Sequence, residues 1–159
     1  MTAGVGRGAR KDSRRRAREA ALQILYHWDI GRSEVHQAVE TYFEQQWPDA
    51  GPPPAELRAF ATALATETVE RLPAIDALIA ETAERWRPER MAVVDRLILR
   101  MAICELLRGR DASASAGVHA PAAVVINEAL ELGRTFSAEE SVKFINGMLD
   151  AVRKKIGRP

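Results

Sequence analysis

An all-α fold is what the sequence predicts, and three observations carry it. Apolar residues recur at spacings of three and four in segment after segment. No segment alternates with the period of two that a half-buried strand requires. The one Asn-Gly pair, Asn146-Gly147, lies inside a helical pattern and not between alternating runs.

The first helix is expected over Lys11 to Gly31, with Asp12 or Ser13 as N-cap and Gly31 in the left-handed position past its end. Ala17, Ala21, Ile24, Leu25 and Trp28 form one apolar stripe along it. Arg14, Arg15, Arg16 and Arg18 crowd its first two turns, where they oppose the positive end of the helix dipole. Such a head is destabilising unless an anion meets it, and a nucleic-acid backbone is the anion this pattern suits. Residues 1–11, rich in Gly, Ala and Arg, are expected to form a mobile basic arm ahead of a single helical domain over 12–159.

Ser33 offers the cap of a second helix carrying Val35, Ala38, Val39, Tyr42 and Phe43, which the cluster Pro48, Gly51, Pro52, Pro53 and Pro54 ends. A third stripe runs through Leu57, Phe60, Ala61, Leu64, Ala65, Thr68, Val69 and Leu72. Pro73 then forces either a kink or a new helix on Ile75, Leu78, Ile79 and Thr82 toward Trp86. After Pro88, Met91, Val94, Leu97, Ile98, Met101, Ala102 and Leu106 are joined on other faces by Val93, Leu99 and Ile103. Only Arg96 and Arg100 form a polar ridge, so this helix is expected at the centre of the core. Residues 108–120 are small, polar and without period, and read as a flexible surface loop. A sixth helix on Val125, Ala129, Leu132 and Phe136 follows Pro121. Ser137-Ala138-Glu139-Glu140 has capping-box form ahead of a seventh on Val142, Ile145, Met148, Leu149, Val152 and Ile156.

Composition narrows the function. The 159 residues are 47% hydrophobic and 28% charged, enough for one real core. A formal net charge of +1 hides an asymmetry: through Arg18 seven basic residues and one acid give +6, leaving −5 on the remainder. That suggests a local polyanion contact on an otherwise acidic body. The single cysteine, Cys104, sits in an apolar run and reads as a buried small hydrophobe. No secretory segment or membrane-length apolar run occurs, which predicts a cytoplasmic protein with no membrane contact. His27, His36 and His119 have no metal-type spacing, and no HExxH, paired CxxC or phosphate-cradling glycine loop is present. The expectation is a binding module with no catalytic residue, no metal and no cofactor.

Four positions depart from plain core logic. Phe144 lies about 100° from the stripe of the seventh helix, beside Lys143; it either stacks an unpaired base while the ammonium meets phosphate, or packs against a helix flank. Tyr26 lies about 160° from the stripe of the first helix and favours a partner contact. Gly147 inside a helix costs about 1 kcal/mol relative to alanine, which close helix approach would explain. Asp95, an acid among apolar neighbours, is too costly to bury unpaired and needs either an internal cation or a surface completed by a partner, of which the partner is the better reading.

The run Arg14-Arg15-Arg16-Ala17-Arg18-Glu19-Ala20-Ala21-Leu22-Gln23-Ile24-Leu25-Tyr26 resembles the NusB family of bacterial transcription antitermination factors. So do Val94-Asp95-Arg96-Leu97-Ile98-Leu99-Arg100-Met101-Ala102, Glu105-Leu106, Ile126-Asn127-Glu128-Ala129 and Lys143-Phe144-Ile145-Asn146-Gly147-Met148-Leu149-Asp150, in the family's order over nearly the whole chain. The resemblance implies about seven helices in two packed sub-bundles. It implies binding of the boxA RNA of nascent ribosomal RNA leaders together with the ribosomal protein NusE, within the antitermination complex of RNA polymerase, as a monomer or a homodimer. By the same resemblance Arg14, Arg15, Arg16, Arg18, Lys143 and Phe144 would face RNA, while Tyr26 and Asp95 would face NusE. The alternatives are a NusB-like domain of a ribosomal RNA cytosine methyltransferase, set aside on the expectation that no methyl-donor-binding domain follows Pro159, and a structural oligomerisation bundle, which RNA binding would exclude.

Overall fold

The computed structural model describes residues 7–83, 87–111 and 120–158, with side chains for all of these except 7–12 and 111. Among the described residues there are seven α-helices and no strand: α1 (Arg7–Gly31), α2 (Val35–Thr41), α3 (Ala55–Glu70), α4 (Leu72–Thr82), α5 (Val93–Asp111), α6 (Ala122–Phe136) and α7 (Glu139–Lys155). The chain divides into two compact units, Met1–Glu67 and Thr68–Pro159.

In the first unit, α1 packs on α2 and on the π-helical turn Tyr42–Gln46 that continues it. Of the expected stripe, Ala17, Ala21, Ile24 and Leu25 are buried, joined by Ala20 and Leu22, while Trp28 is only half-buried; Val35, Ala38, Val39, Tyr42 and Phe43 are buried as expected. The ends of α1 differ from expectation. It begins at Arg7, so residues 7–11 are helix and Asp12 and Ser13 lie within it instead of capping it. At its other end Gly31 is still helical and Arg32 takes the left-handed backbone, with φ 51°. Glu34, not Ser33, precedes α2.

The second unit is built around α5, against which α4, α6 and α7 all pack. Every residue from Leu97 to Leu107 is buried, because three neighbours leave this helix no solvent face. Each aliphatic side chain there contributes roughly 1.5–3 kcal/mol by burial. Arg100, on the expected polar ridge, is buried too; Nε and Nη2 donate to Oδ1 and Oδ2 of Asp76, each at 2.9 Å. That bidentate pairing is what lets a guanidinium lie so deep. Pro73 starts a new helix instead of kinking an old one, with Arg71 as the hinge residue before α4. The expected run toward Trp86 and most of the 108–120 loop lie outside the described residues, although residues 108–111 belong to α5.

Helices α6 and α7 meet at Gly133, where a β-carbon would come 3.1 Å from Cγ2 of Val142. The close approach expected at Gly147 is therefore found at Gly133. Gly147 itself faces open space, with nothing within 4 Å of a built β-carbon. Phe136, placed on the α6 stripe by its spacing, is 40% exposed at the helix end. No capping box forms either: Ala138 precedes α7 without a side-chain cap, and the Ser137 hydroxyl is engaged elsewhere.

Candidate nucleic-acid interface

Since α1 starts at Arg7, the arginine cluster begins on its eighth residue and not in its first turn. The conflict with the helix dipole is correspondingly weak, because that effect fades beyond the terminal turn. Aromatic rings take up the charge instead. Arg14 lies with Cζ 4.1 Å from the Phe60 ring centroid, and Arg18 lies 5.4 Å from the same ring. Arg16 lies 5.1 Å from the Trp47 ring and pairs with the Asp49 carboxylate. Each face-on contact of this kind stabilises by about 0.5–1 kcal/mol at an exposed site, and more when desolvated. Trp47 belongs to a cluster of rings: Phe43 and Trp47 centroids are 6.0 Å apart, and Tyr42 meets Phe43 edge-on at 5.0 Å. Burial pushes the Tyr42 phenol pKa above its ordinary value, against the opposing pull of Arg16.

The four arginines are not equivalent. Arg14 and Arg15 are half-buried and Arg16 is exposed, whereas Arg18 is only 5% exposed. Arg18 thus departs from its expected place at an RNA-facing head. On a helix of 3.6 residues per turn it falls toward the buried stripe, near Ala21 and Leu25. Of the residues that meet these arginines or adjoin the ring cluster, the sequence pattern marks Tyr42, Phe43 and Phe60 as core and gives no role to Trp47, Asp49 or Arg58. The signal was there in the crowding of Tyr42, Phe43 and Trp47 between two helices.

Further along α1, Tyr26 is 44% exposed, and Ile30, one turn on, is 57% exposed. Together they make a small apolar patch, of which the spacing argument found only the tyrosine. His27, beside them in sequence, shares a 2.7 Å hydrogen bond with Oε1 of Gln46, a structural use.

In the second unit Lys143 and Phe144 are exposed on α7, Phe144 at 45%. Packing of Phe144 into a helix flank is not what the structure has. A shallow groove between α6 and α7 is lined by Ala123, Ile126, Asn127, Leu130 and Asn146, with Asp150 and Arg153 at one end. There Arg153, then Lys154, hold the Asp150 carboxyl below the usual carboxylate range.

Asp95 meets neither of the two expectations for it. It is buried in the first turn of α5, and its carboxylate oxygens accept hydrogen bonds from Ser137 Oγ and, at 2.7 Å, from Ser141 Oγ. Two hydroxyls and a helix N-terminus supply what a cation or a partner was invoked for. The argument that made Asp95 a partner residue therefore does not hold, and Asp95 ties α5 to the α6–α7 corner. Cys104 is buried, and among the described residues no cluster of His, Cys, Asp and Glu could hold a metal ion.

In the first unit an arginine helix beside aromatic rings, and in the second an exposed Lys-Phe pair, are each of a chemistry that suits a polyanion or an unpaired base. A NusB family profile matches residues 15–154. The chain belongs to the NusB family. The transcription antitermination protein NusB of Solibacter usitatus (strain Ellin6076) is 47% identical over 147 residues, spanning 92% of each chain. That of Koribacter versatilis (strain Ellin345) is 41% identical, over 91% of this chain and 90% of its own. Among solved structures, T. maritima NusB superposes with a TM-score of 0.74 at 31% identity, covering 89% of this chain and 91% of its own. A structure described as antitermination factors NusB and NusE in complex with dsRNA matches with a TM-score of 0.71 at 23% identity, over 91% of this chain and 98% of that one, a likeness of fold. Arg15, Arg16, Arg18, Asp95, Lys143 and Phe144 all lie within the matched span, and Arg14 immediately precedes it.

Proposed function

We propose that this chain is a cytoplasmic transcription antitermination factor that binds the boxA RNA of nascent ribosomal RNA leaders with the ribosomal protein NusE, so that elongating RNA polymerase resists termination. Its close kinship over residues 15–154 to proteins named for antitermination carries the reading. The geometry supports it within each unit. In the first, Arg14, Arg15 and Arg16 present guanidiniums for phosphate, with the buried Arg18 beside the Phe60 ring that Arg14 also meets. In the second, Lys143 and Phe144 offer an ammonium beside an exposed ring, suited to phosphate and a splayed base. Tyr26, extended by Ile30, is the partner-facing patch, and Asp95 is assigned to structure. The role is one of binding, with no catalytic step.

The test is a mobility shift of the protein with a boxA RNA, with and without the ribosomal partner. With about three or four phosphates neutralised, the log-log salt slope should lie near −2 to −3, and changing Arg14, Arg15 and Arg16 together to alanine should flatten it. Phe144→Ala should weaken RNA binding by roughly 1–3 kcal/mol while the thermal melt stays put. RNA binding with an unchanged slope in the triple variant would remove the arginine face from the site.

A further inference from the structure

We propose that Arg58, on α3, is a further nucleic-acid-backbone contact, sharing with Arg16 a shelf made by the neighbouring, mutually tilted rings of Trp47 and Phe43. The proposal rests on the RNA reading above and extends its surface beyond α1.

Between residues 19 and 67 there are eight acids and only two basic residues, Arg32 and Arg58. A cation in such company is ordinarily found on a carboxylate. Arg58 is exposed, and instead of meeting an acid it lies with Cζ 4.9 Å from the Phe43 ring centroid. Among the described residues that ring is its interaction, and no ion pair accompanies it. Phe43 is buried and sits 6.0 Å, centroid to centroid, from Trp47, which carries Arg16. Among the described residues the buried indole Nε1 of Trp47 has no hydrogen-bond partner, and the contacts of this ring are those of its faces with Phe43 and Arg16.

A guanidinium stacked on a ring keeps its N–H donors in plane and pointing away, a ready fork for a phosphate. Stacking also fixes the side chain beforehand, which reduces the ordering cost on binding. Arg16 differs in one respect: its fork is engaged by Asp49, so RNA must displace a carboxylate to use it. Arg58 needs no such exchange.

The experiment measures boxA RNA affinity from low to moderate salt for the wild type, Arg58→Ala, Arg58→Lys, Arg32→Ala and the Arg14–Arg16 triple alanine variant, each with a circular-dichroism melt. Arg58→Ala should make the log-log slope shallower by about 0.7, one phosphate on a single strand, and weaken binding several-fold with an unchanged melt. Arg58→Lys should keep the slope and recover only part of the affinity, since an ammonium does not stack or fork. Arg32→Ala should match the wild type. If the triple variant flattens the slope while Arg58→Ala does not, Arg58 lies outside the interface and the RNA reading stands without it. If neither changes the slope, the arginine face itself is not the RNA site and the proposal falls with it. A weaker Arg58→Ala whose slope is unchanged and whose melt is lowered would assign Arg58 to structure, and would equally overturn the proposal.

Discussion

Single residues in this protein are decided by what satisfies their charge. Asp95 shows the limit of reading one residue at a time. Its acid type and apolar company were legible, but its partners come from more than forty positions away: Ser137 reads from sequence as a helix-capping group and Ser141 carries no signal. A hydroxyl can donate to a carboxylate as readily as accept from an amide, and tertiary approach chose the first. Asp95→Ala should therefore strand two hydroxyls and cost about 1–3 kcal/mol of stability. Denaturant unfolding checks this, and affinity for the ribosomal partner, measured where the variant is folded, should stay at the wild-type value. Weakened association without loss of stability would return Asp95 to the partner surface. Phe144, by contrast, was half legible: its angle from the α7 stripe left an exposed ring and flank packing both open, and the structure has it exposed.

At the scale of elements, the 3.6-residue period was a reliable guide wherever it ran for several turns. It located the buried faces of α1, α2 and α7, and the near absence of polar positions on α5 announced a helix enclosed on all sides. It was a poor guide at ends, where one cap or a last turn decides: α1 starts earlier than its capping residues suggested, and Phe136 lies beyond the packed part of α6. The π turn after α2 carries a further consequence. It sets Tyr42 and Phe43 side by side in the interior, and burial raises the Tyr42 pKa. A phenol whose folded pKa exceeds its unfolded value, about 10, contributes stability that is whole below that pH and lost as pH rises through the folded value. The wild type should thus lose melting temperature above about pH 10 more steeply than Tyr42→Phe, with the two close together at neutral pH. Parallel alkaline profiles would show that Tyr42 does not titrate against the fold.

Across the whole molecule, what matters for binding is where the charge sits. The formal total is +1, yet residues 1–18 carry +6 and residues 19–67, counted the same way, carry −6, so opposite fields share the first unit. A net charge so close to zero gives little general attraction to polyanions, whereas a concentrated basic patch steers and holds one locally. The acidic remainder, which bears Tyr26 and Ile30, is suited by the same logic to a basic protein partner. A charge-matched comparison separates local from global electrostatics. Changing Arg14, Arg15 and Arg16 to glutamine lowers the net charge by three, as does changing the exposed Arg32, Arg134 and Lys155. If location governs, the first set should weaken boxA RNA binding more than tenfold at low salt, from about three lost phosphate contacts, while the second stays within about twofold of the wild type. Equal losses in the two sets would mean that total charge does the work, and the arginine helix would lose its special place in the site.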